Sequence, residues 1–289
     1  TVRAGGGGRL SAFLFRRPRL RLWLLLGLPL AWLVVVYLGS LVVLLFAAFW
    51  DTDSFTGQVI HTFTLENFQE IGETPVYRDV ASRTIQMAAM VTVADVVLAF
   101  PIAYYMARVA SPRTRNLLVI AVLMPLWANY LVKAYSWRTI LSEGGIVNWT
   151  LDPLGLGFDG FSTAGLWLTF TYLWLPFMIL PIYAGLERIP DSLLEASADL
   201  GGRSLATFRK VILPLAFPAV VAGSIFTFCL TLGDYIAPGL ITSEQFVGTV
   251  IYNIRGQALP TAAAFAFVPI VVVIAYLLVA RRLRAFESL

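Results

Sequence analysis

Six apolar runs, each long enough for a helix to cross a bilayer, dominate this sequence and leave few folds open to it. They lie at about 22–50, 81–107, 116–140, 165–187, 211–236 and 261–280. A crossing helix needs about 20 predominantly apolar residues, and each run supplies them. Hydrophobic residues make up 58% of the 289 and charged residues 13%, against about a quarter charged in a soluble domain. The solvent is lipid, and the expected fold class is an all-α membrane protein with six transmembrane helices.

Lys and Arg set the expected orientation. Six arginines precede the first run, and Arg108, Arg113 and Arg115 follow the second. Arg188, Arg203, Arg209 and Lys210 sit between the fourth and fifth runs, and Arg281, Arg282 and Arg284 close the chain. Sixteen of the twenty-one basic residues thus fall on one side, which the positive-inside rule makes cytoplasmic. Both termini are then cytoplasmic. The first run is too long for a signal-peptide core of about 7–15 residues, so Arg16 to Arg21 reads as the flank of a retained helix. The division expected is a tail at 1–21 with a flexible glycine run at Gly5 to Gly8, a six-helix transmembrane domain at 22–280, and a tail at 281–289.

The opposite side differs in character. Residues 51–80 hold six acids, from Asp51 to Asp79, against Arg78 alone. Residues 141–164, rich in Gly, Asp and Pro, read as a structured outer loop. Trp50, Tyr104, Tyr105, Trp167 and Tyr276 lie near run ends, where amphipathic rings favour the lipid–water boundary. The net charge of +4 therefore reflects topology and implies no nucleic-acid partner. One cysteine, Cys229, excludes an intrachain disulfide, and one histidine, His61, excludes a His-rich metal site.

The stretch from Pro190 to Pro214, which covers most of a cytoplasmic loop at about 188–210 and extends into the fifth run, carries the most information. It reads as two short helices around a glycine turn. Asp191 or Ser192 is placed to cap the first, Ser204 the second, and Gly201 and Gly202 supply a left-handed stop. Leu193, Leu194, Ala196, Ala198 and Leu200 need a surface to cover them, and a groove on a cytoplasmic partner provides one. The alternative, an amphipathic hairpin on the bilayer surface, is opposed by the four acids from Glu187 to Asp199, because the inner leaflet is itself negative.

Glu195-Ala196-Ser197, three residues, Gly201, nine residues, then Val211-Ile212-Leu213-Pro214 resembles the signature of the membrane subunits of bacterial ABC importers. Ser197 replaces the second Ala of that signature and Val211 its Ile. The resemblance implies a type I ABC importer permease-like fold whose loop is the coupling helix, docking into an ATPase subunit. Glu195 is then a polar contact, Ala196 allows close approach, and Gly201 makes the turn, with Leu213 and Pro214 completing the motif. The implied partners are two ATPase subunits, a homologous second permease and an extracytoplasmic solute-binding protein, in a multi-pass chain of the bacterial inner membrane. The segments Met124 to Lys133, Thr231 to Pro238 and Ala262 to Phe265 resemble the spermidine/putrescine-type permeases, which implies polyamine import. Permeases for sulfate, iron and other small solutes share much of this framework. No G-x-x-x-x-G-K-[ST] sequence occurs, so ATP and Mg belong to partner subunits and no cofactor or catalysis is expected here.

Polar residues inside the runs are the candidates for a solute path. Asp95 shares a helical face with Ala88, Thr92, Ala99 and Ala103. It reads either as a carboxylate lining the path or as a structural acid hydrogen-bonded to a neighbouring helix. Ser224, Thr227, Thr231 and Asp234 form a second stripe, and Asp234 beside Tyr235 suits an alkylammonium group by charge and cation–π attraction. A helix terminus, or pairing with Arg255, is the other reading of Asp234. Trp127 and Tyr130 read as pore or gate residues, and Trp137 as part of an aromatic belt. Lys133 requires an acid partner if the path is cationic, and with Arg138 it keeps an anionic solute open. Thr169, Tyr172 and Pro176 make a further face, with Trp174 on another side. An ion-coupled secondary transporter using Asp95, and a scaffold carrying no solute, remain as alternatives.

Overall fold

The computed structural model describes residues 18–53 and 56–282. The glycine run, the first four arginines and Arg284 lie outside the described residues. Helix α1 is under way at Pro18 and continues to Ala47, widening to a π turn at Leu33–Leu38. The last helix ends at Arg282. The expected tail boundaries at 21 and 281 therefore fall within helices.

Five unbroken helices are long and apolar enough to cross a membrane. Besides α1 they are α3 (Pro75–Val109), α7 (Thr163–Glu187), α9 (Ser204–Gly233) and α12 (Leu259–Arg282). The third expected span is the correction. Instead of one helix over 116–140 there are α4 (Pro112–Trp127) and α5 (Tyr130–Leu141), the latter continued by the short α6 (Ile146–Leu151). The two halves are bent by 94°, so the sixth crossing is a broken one. The cause is local. Pro125 lacks the N–H that its turn would donate, Ala128 and Asn129 are extended, and the Asn129 Oδ1 accepts from the Leu131 N–H at 2.9 Å, starting a new helix.

The core is a three-helix packing of α3, α7 and α9. Along α3 the buried face runs Val80, Thr84, Met87, Ala88, Val91, Thr92, Asp95, Ala99, Ala103, the i, i+3, i+4 spacing of one stripe. Small residues bring the backbones close. A Cβ at Gly185 of α7 would lie 2.3 Å from the Ala219 Cβ of α9, so only glycine fits there. Towards one end of the bundle Ala99, Ala103, Met178, Ile182 and Ala216 pack together, and towards the other Met87, Val91, Phe170 and Trp174 do.

Helix α1 stands off this core and is held at its far end, against α12. Leu28 and Trp32 are wholly outward, while Ala47 and Ala48 are buried against Ala263 and Ala264. The acidic segment that follows folds as a small hairpin, β1 (Asp51–Thr52) with β2 (Val59–Ile60), and α2 (Glu66–Glu73). Asn67 ties it down. Its Nδ2 donates to the carbonyls of Ala48 and Trp50, and its Oδ1 accepts from the Thr261 hydroxyl. Between α9 and α12 lie two short helices, α10 (Ile236–Ile241) and α11 (Val247–Ile254).

Helix α9 starts earlier than expected, absorbing the second short helix of the cytoplasmic loop into the fifth span. A π turn at Phe208–Ile212 precedes Pro214, consistent with the missing proline N–H loosening the ladder there. Pro176 and Pro181 lie inside α7 and do not interrupt it.

Candidate functional site

Two chain breaks meet in a cleft of about 350 Å³ lined by Tyr130, Trp174, Cys229, Gly233, Asp234 and Tyr235, among others. Tyr130 opens α5 just past the Asn129 cap, and Asp234 follows the last residue of α9. The Asp234 Oδ1 accepts the backbone N–H groups of Ile236 (2.7 Å) and Ala237 (3.1 Å), holding the start of α10. Its Oδ2 accepts the Tyr130 hydroxyl in a short hydrogen bond. The Tyr130 ring stacks on Trp174 of α7, centroids 5.9 Å apart and 10° from parallel. Tyr235 stacks on Tyr252 at 4.6 Å.

Arg255 does not pair with Asp234. Its guanidinium lies 3.6 Å over the Tyr252 ring and donates to the Tyr252 carbonyl. That disposes of one alternative for Asp234 and supports the other, a helix-terminus role, without removing its charge from the cleft. The cleft thus brings a half-buried carboxyl group together with the rings of Tyr130, Trp174 and Tyr235. Tyr235 also borders a more polar cleft of about 430 Å³ with Tyr135, Thr242, Glu244 and Asn253.

The other path candidates sit elsewhere. Asp95 is completely buried between α3, α7 and α9, and neither carboxyl oxygen has a hydrogen-bond partner. It faces no cleft with Asp234, and the hydrogen bond to a neighbouring helix is absent too. Thr227 and Thr231 are buried, their hydroxyls returned to the carbonyls of Gly223 and Thr227 on their own helix. Ser224 meets the Tyr276 hydroxyl at 2.6 Å. Trp127 is 90% exposed at the end of α4, beside a separate apolar cleft with Ile120, Leu123 and Met124. Tyr172 packs against Trp137 at 5.2 Å, away from Asp234. The ring in the cleft is Trp174, on the face of α7 that the sequence reading set aside. Lys133 makes no ion pair among the described residues. Tyr252 had no distinguishing sequence signal, because stacking partners far apart in the chain leave no local pattern.

The loop at about 188–210 is a helical hairpin. Helix α8 spans Asp191–Asp199 and stops in a Schellman arrangement: the Gly202 N–H donates to the Ser197 carbonyl and the Gly201 N–H to that of Ala198, both within 2.9 Å. Gly201 has φ +75°, a value that disfavours any residue with a Cβ; Gly202 keeps an ordinary φ. Neither expected hydroxyl or carboxyl cap forms. Asp191 and Ser204 are the first residues of their helices, after Pro190 and Arg203. Leu194 turns inward to the core. Leu193, Ala196 and Leu200 are exposed at i, i+3 and i+7, with Glu195 exposed beside them. Ser197 meets Thr207 at 2.8 Å, closing the hairpin. Leu213 and Pro214 are exposed within α9, well past the turn.

Residues 99–286 match the family model described as binding-protein-dependent transport system inner membrane component. The inner membrane ABC transporter permease protein YdcU of Escherichia coli K12 is 46% identical, over 98% of this chain and 96% of its own length. The spermidine/putrescine transport system permease protein PotB of the same organism is 32% identical, over 70% of this chain and 74% of its own. Among solved structures, a bacterial ABC transporter involved in import of the acidic polysaccharide alginate matches with TM-score 0.67 over 95% of this chain and 99% of its own, at 17% identity. The bacterial alginate ABC transporter in complex with an alginate pentasaccharide-bound periplasmic protein gives TM-score 0.68 over 97% and 98%, at 18% identity. At those identities the likeness shows the fold alone.

Proposed function

The chain belongs to the family of binding-protein-dependent transport system inner membrane components, and from that premise we propose that it imports cationic polyamines. It is a multi-pass ABC importer permease subunit of the inner membrane. The ion-coupled and scaffold alternatives give way to this membership.

One observation carries the substrate reading: the Asp234 carboxylate held among Tyr130, Trp174 and Tyr235 in a cleft. An alkylammonium group is attracted by the charge and by the ring faces together. The acidic outer segment and the polyamine permease among the relatives support the same class.

A binding protein delivers the solute to the outer mouth formed by this chain and a homologous second permease. One of the two ATPase subunits docks on the α8 hairpin, with Leu193, Ala196 and Leu200 entering its cleft and Glu195 at the rim. Both termini face the same cytoplasmic side as that hairpin. ATP and Mg, held by the ATPase partners, supply the energy, and this chain requires no cofactor. An arriving ammonium competes with the Tyr130 hydroxyl for the Asp234 Oδ2, so binding loosens the tie between the broken third span and the end of α9.

The test is uptake of labelled putrescine and spermidine in cells with and without the gene, with sulfate and ferric iron as comparison solutes. Selective, ATP-dependent loss of polyamine uptake is expected. Unchanged polyamine uptake with loss of sulfate or iron would discard the polyamine reading and leave the permease assignment standing.

A further inference from the structure

At the base of the α8 hairpin, two arginines flanking the turn between α3 and α4, Arg108 at the end of α3 and Arg115 at the start of α4, fasten these helices to the junction of α7 with α8. Arg108, with its side chain only 13% exposed, uses one guanidinium nitrogen on Asp191 at 2.7 Å, the first residue of α8. The other donates to the carbonyls of Leu186 and Ile189, each at 2.5 Å, where α7 runs out. One fork thus joins the end of α3, the end of α7 and the start of α8. Arg115 donates to the carbonyls of Met106 and Ala107 and pairs with Glu187 at 3.2 Å, which also accepts from Tyr183.

We propose that Arg108 is a positioning residue for energy coupling: its fork transmits displacement of the α8 hairpin to α3 and α7. The proposal rests on the reading of that hairpin as the ATPase-docking element. Carbonyls at a helix C-terminus lack intrahelical donors and carry negative partial charge, so a buried guanidinium is held there strongly. Asp191 is exposed, and as an isolated surface pair it would contribute little. Attached to a fork already fixed by two carbonyls, it gives α8 a stiff, directional link. The hairpin itself is braced from within, by the Schellman turn and the Ser197–Thr207 contact. A push on its exposed face therefore moves it as one body. Its other anchors are packing contacts, Leu194 in the core and Phe208 against Phe100 and Tyr104. Such contacts resist separation but slide more easily than a three-acceptor fork.

The experiment uses the assembled complex of this chain with its second permease and ATPase subunits, and needs no knowledge of the solute. Cys229, the chain's single cysteine, lines the cleft beside Asp234. Its rate of labelling by N-ethylmaleimide, read on this subunit's band, reports cleft access with and without vanadate-trapped nucleotide. In Arg108→Ala the nucleotide-dependent difference shrinks by about fivefold or more, the low end of usual coupling between sites, while ATP hydrolysis persists. Asp191→Asn, at an exposed position that cannot unfold the core, shrinks it in the same direction, and Asp191→Glu restores it. A merely structural arginine would lower assembly without separating hydrolysis from cleft access. If Glu195→Lys abolishes the difference but Arg108→Ala and Asp191→Asn preserve it, the fork plays no part in coupling. If Glu195→Lys preserves it too, the docking role of the hairpin is wrong, and the proposal falls with it.

Discussion

Asp234 divides its two oxygens between structure and chemistry. Oδ1 is committed to the backbone of α10, while Oδ2 is held only by a phenol that a stronger donor can displace. Asp234→Asn keeps a carbonyl for the backbone and removes the charge. Hydrogen bonds to charged groups contribute about 1.5–3 kcal/mol, so polyamine uptake should fall about tenfold or more, measured as a rise in the half-saturating concentration. Tyr130→Phe keeps the stack on Trp174 and should leave uptake far closer to normal; equal uptake in both variants would count against a cation at this carboxylate. Asp95 behaves differently. A buried carboxyl without a partner costs about 1–3 kcal/mol, so Asp95→Val should raise the thermal midpoint of the detergent-solubilised protein. A clear fall would mean that Asp95 has a partner in the assembled state. The stripe Ala88, Thr92, Asp95, Ala99, Ala103 made its burial legible in the sequence. That both oxygens lack a donor was not legible, because no pattern along α3 says which atoms α7 and α9 present to it.

At the scale of elements, the two features that matter are a turn and a break. The turn was legible: Gly201 stands where α8 must end, and its positive φ explains the residue. Proline there would demand φ near −65°, so Gly201→Pro should disrupt the hairpin and abolish stimulated ATP hydrolysis in the complex, with membrane insertion retained. Normal coupled turnover would remove the hairpin from the mechanism. The break was hidden. Hydropathy drops after Met124, but Leu126, Leu131 and Val132 keep the run apolar enough on either side of Ala128 and Asn129 for the third span to read as one helix. Asn129→Ala removes the cap of α5, at a cost of about 1 kcal/mol. It should weaken uptake by loosening Tyr130 from Asp234, while leaving insertion and assembly intact. Full uptake in that variant would separate the break from the cleft.

For the molecule as a whole, the charge distribution predicts an orientation that reporter fusions can read. A green fluorescent protein joined after Arg282 should fluoresce, and alkaline phosphatase inserted in the Gly-rich segment near Gly157 should be active. The reverse pair of results would invert the topology and detach α8 from any cytoplasmic ATPase. Most of α1 lies outside the bundle, anchored at Ala47 and Ala48, so much of its apolar surface faces lipid or a neighbouring subunit.

Hydropathy and charge act residue by residue against a solvent, lipid or water, and their effects sum along the chain. The sequence alone therefore determined five of the crossings closely, the basic and acidic sides, and the helix–glycine–helix form of the cytoplasmic loop. Only the tertiary structure decided which polar residues meet. Tyr130, Trp174, Asp234 and Tyr235 converge because α5 and α10 begin at particular breaks, and because close contacts such as Gly185 on Ala219 set the depth of α7 against α9. Those distances depend on packing between segments remote in sequence. For the same reason Thr227, Thr231 and Tyr172, well placed on their own helices, lie outside the cleft, while Trp174 lies within it.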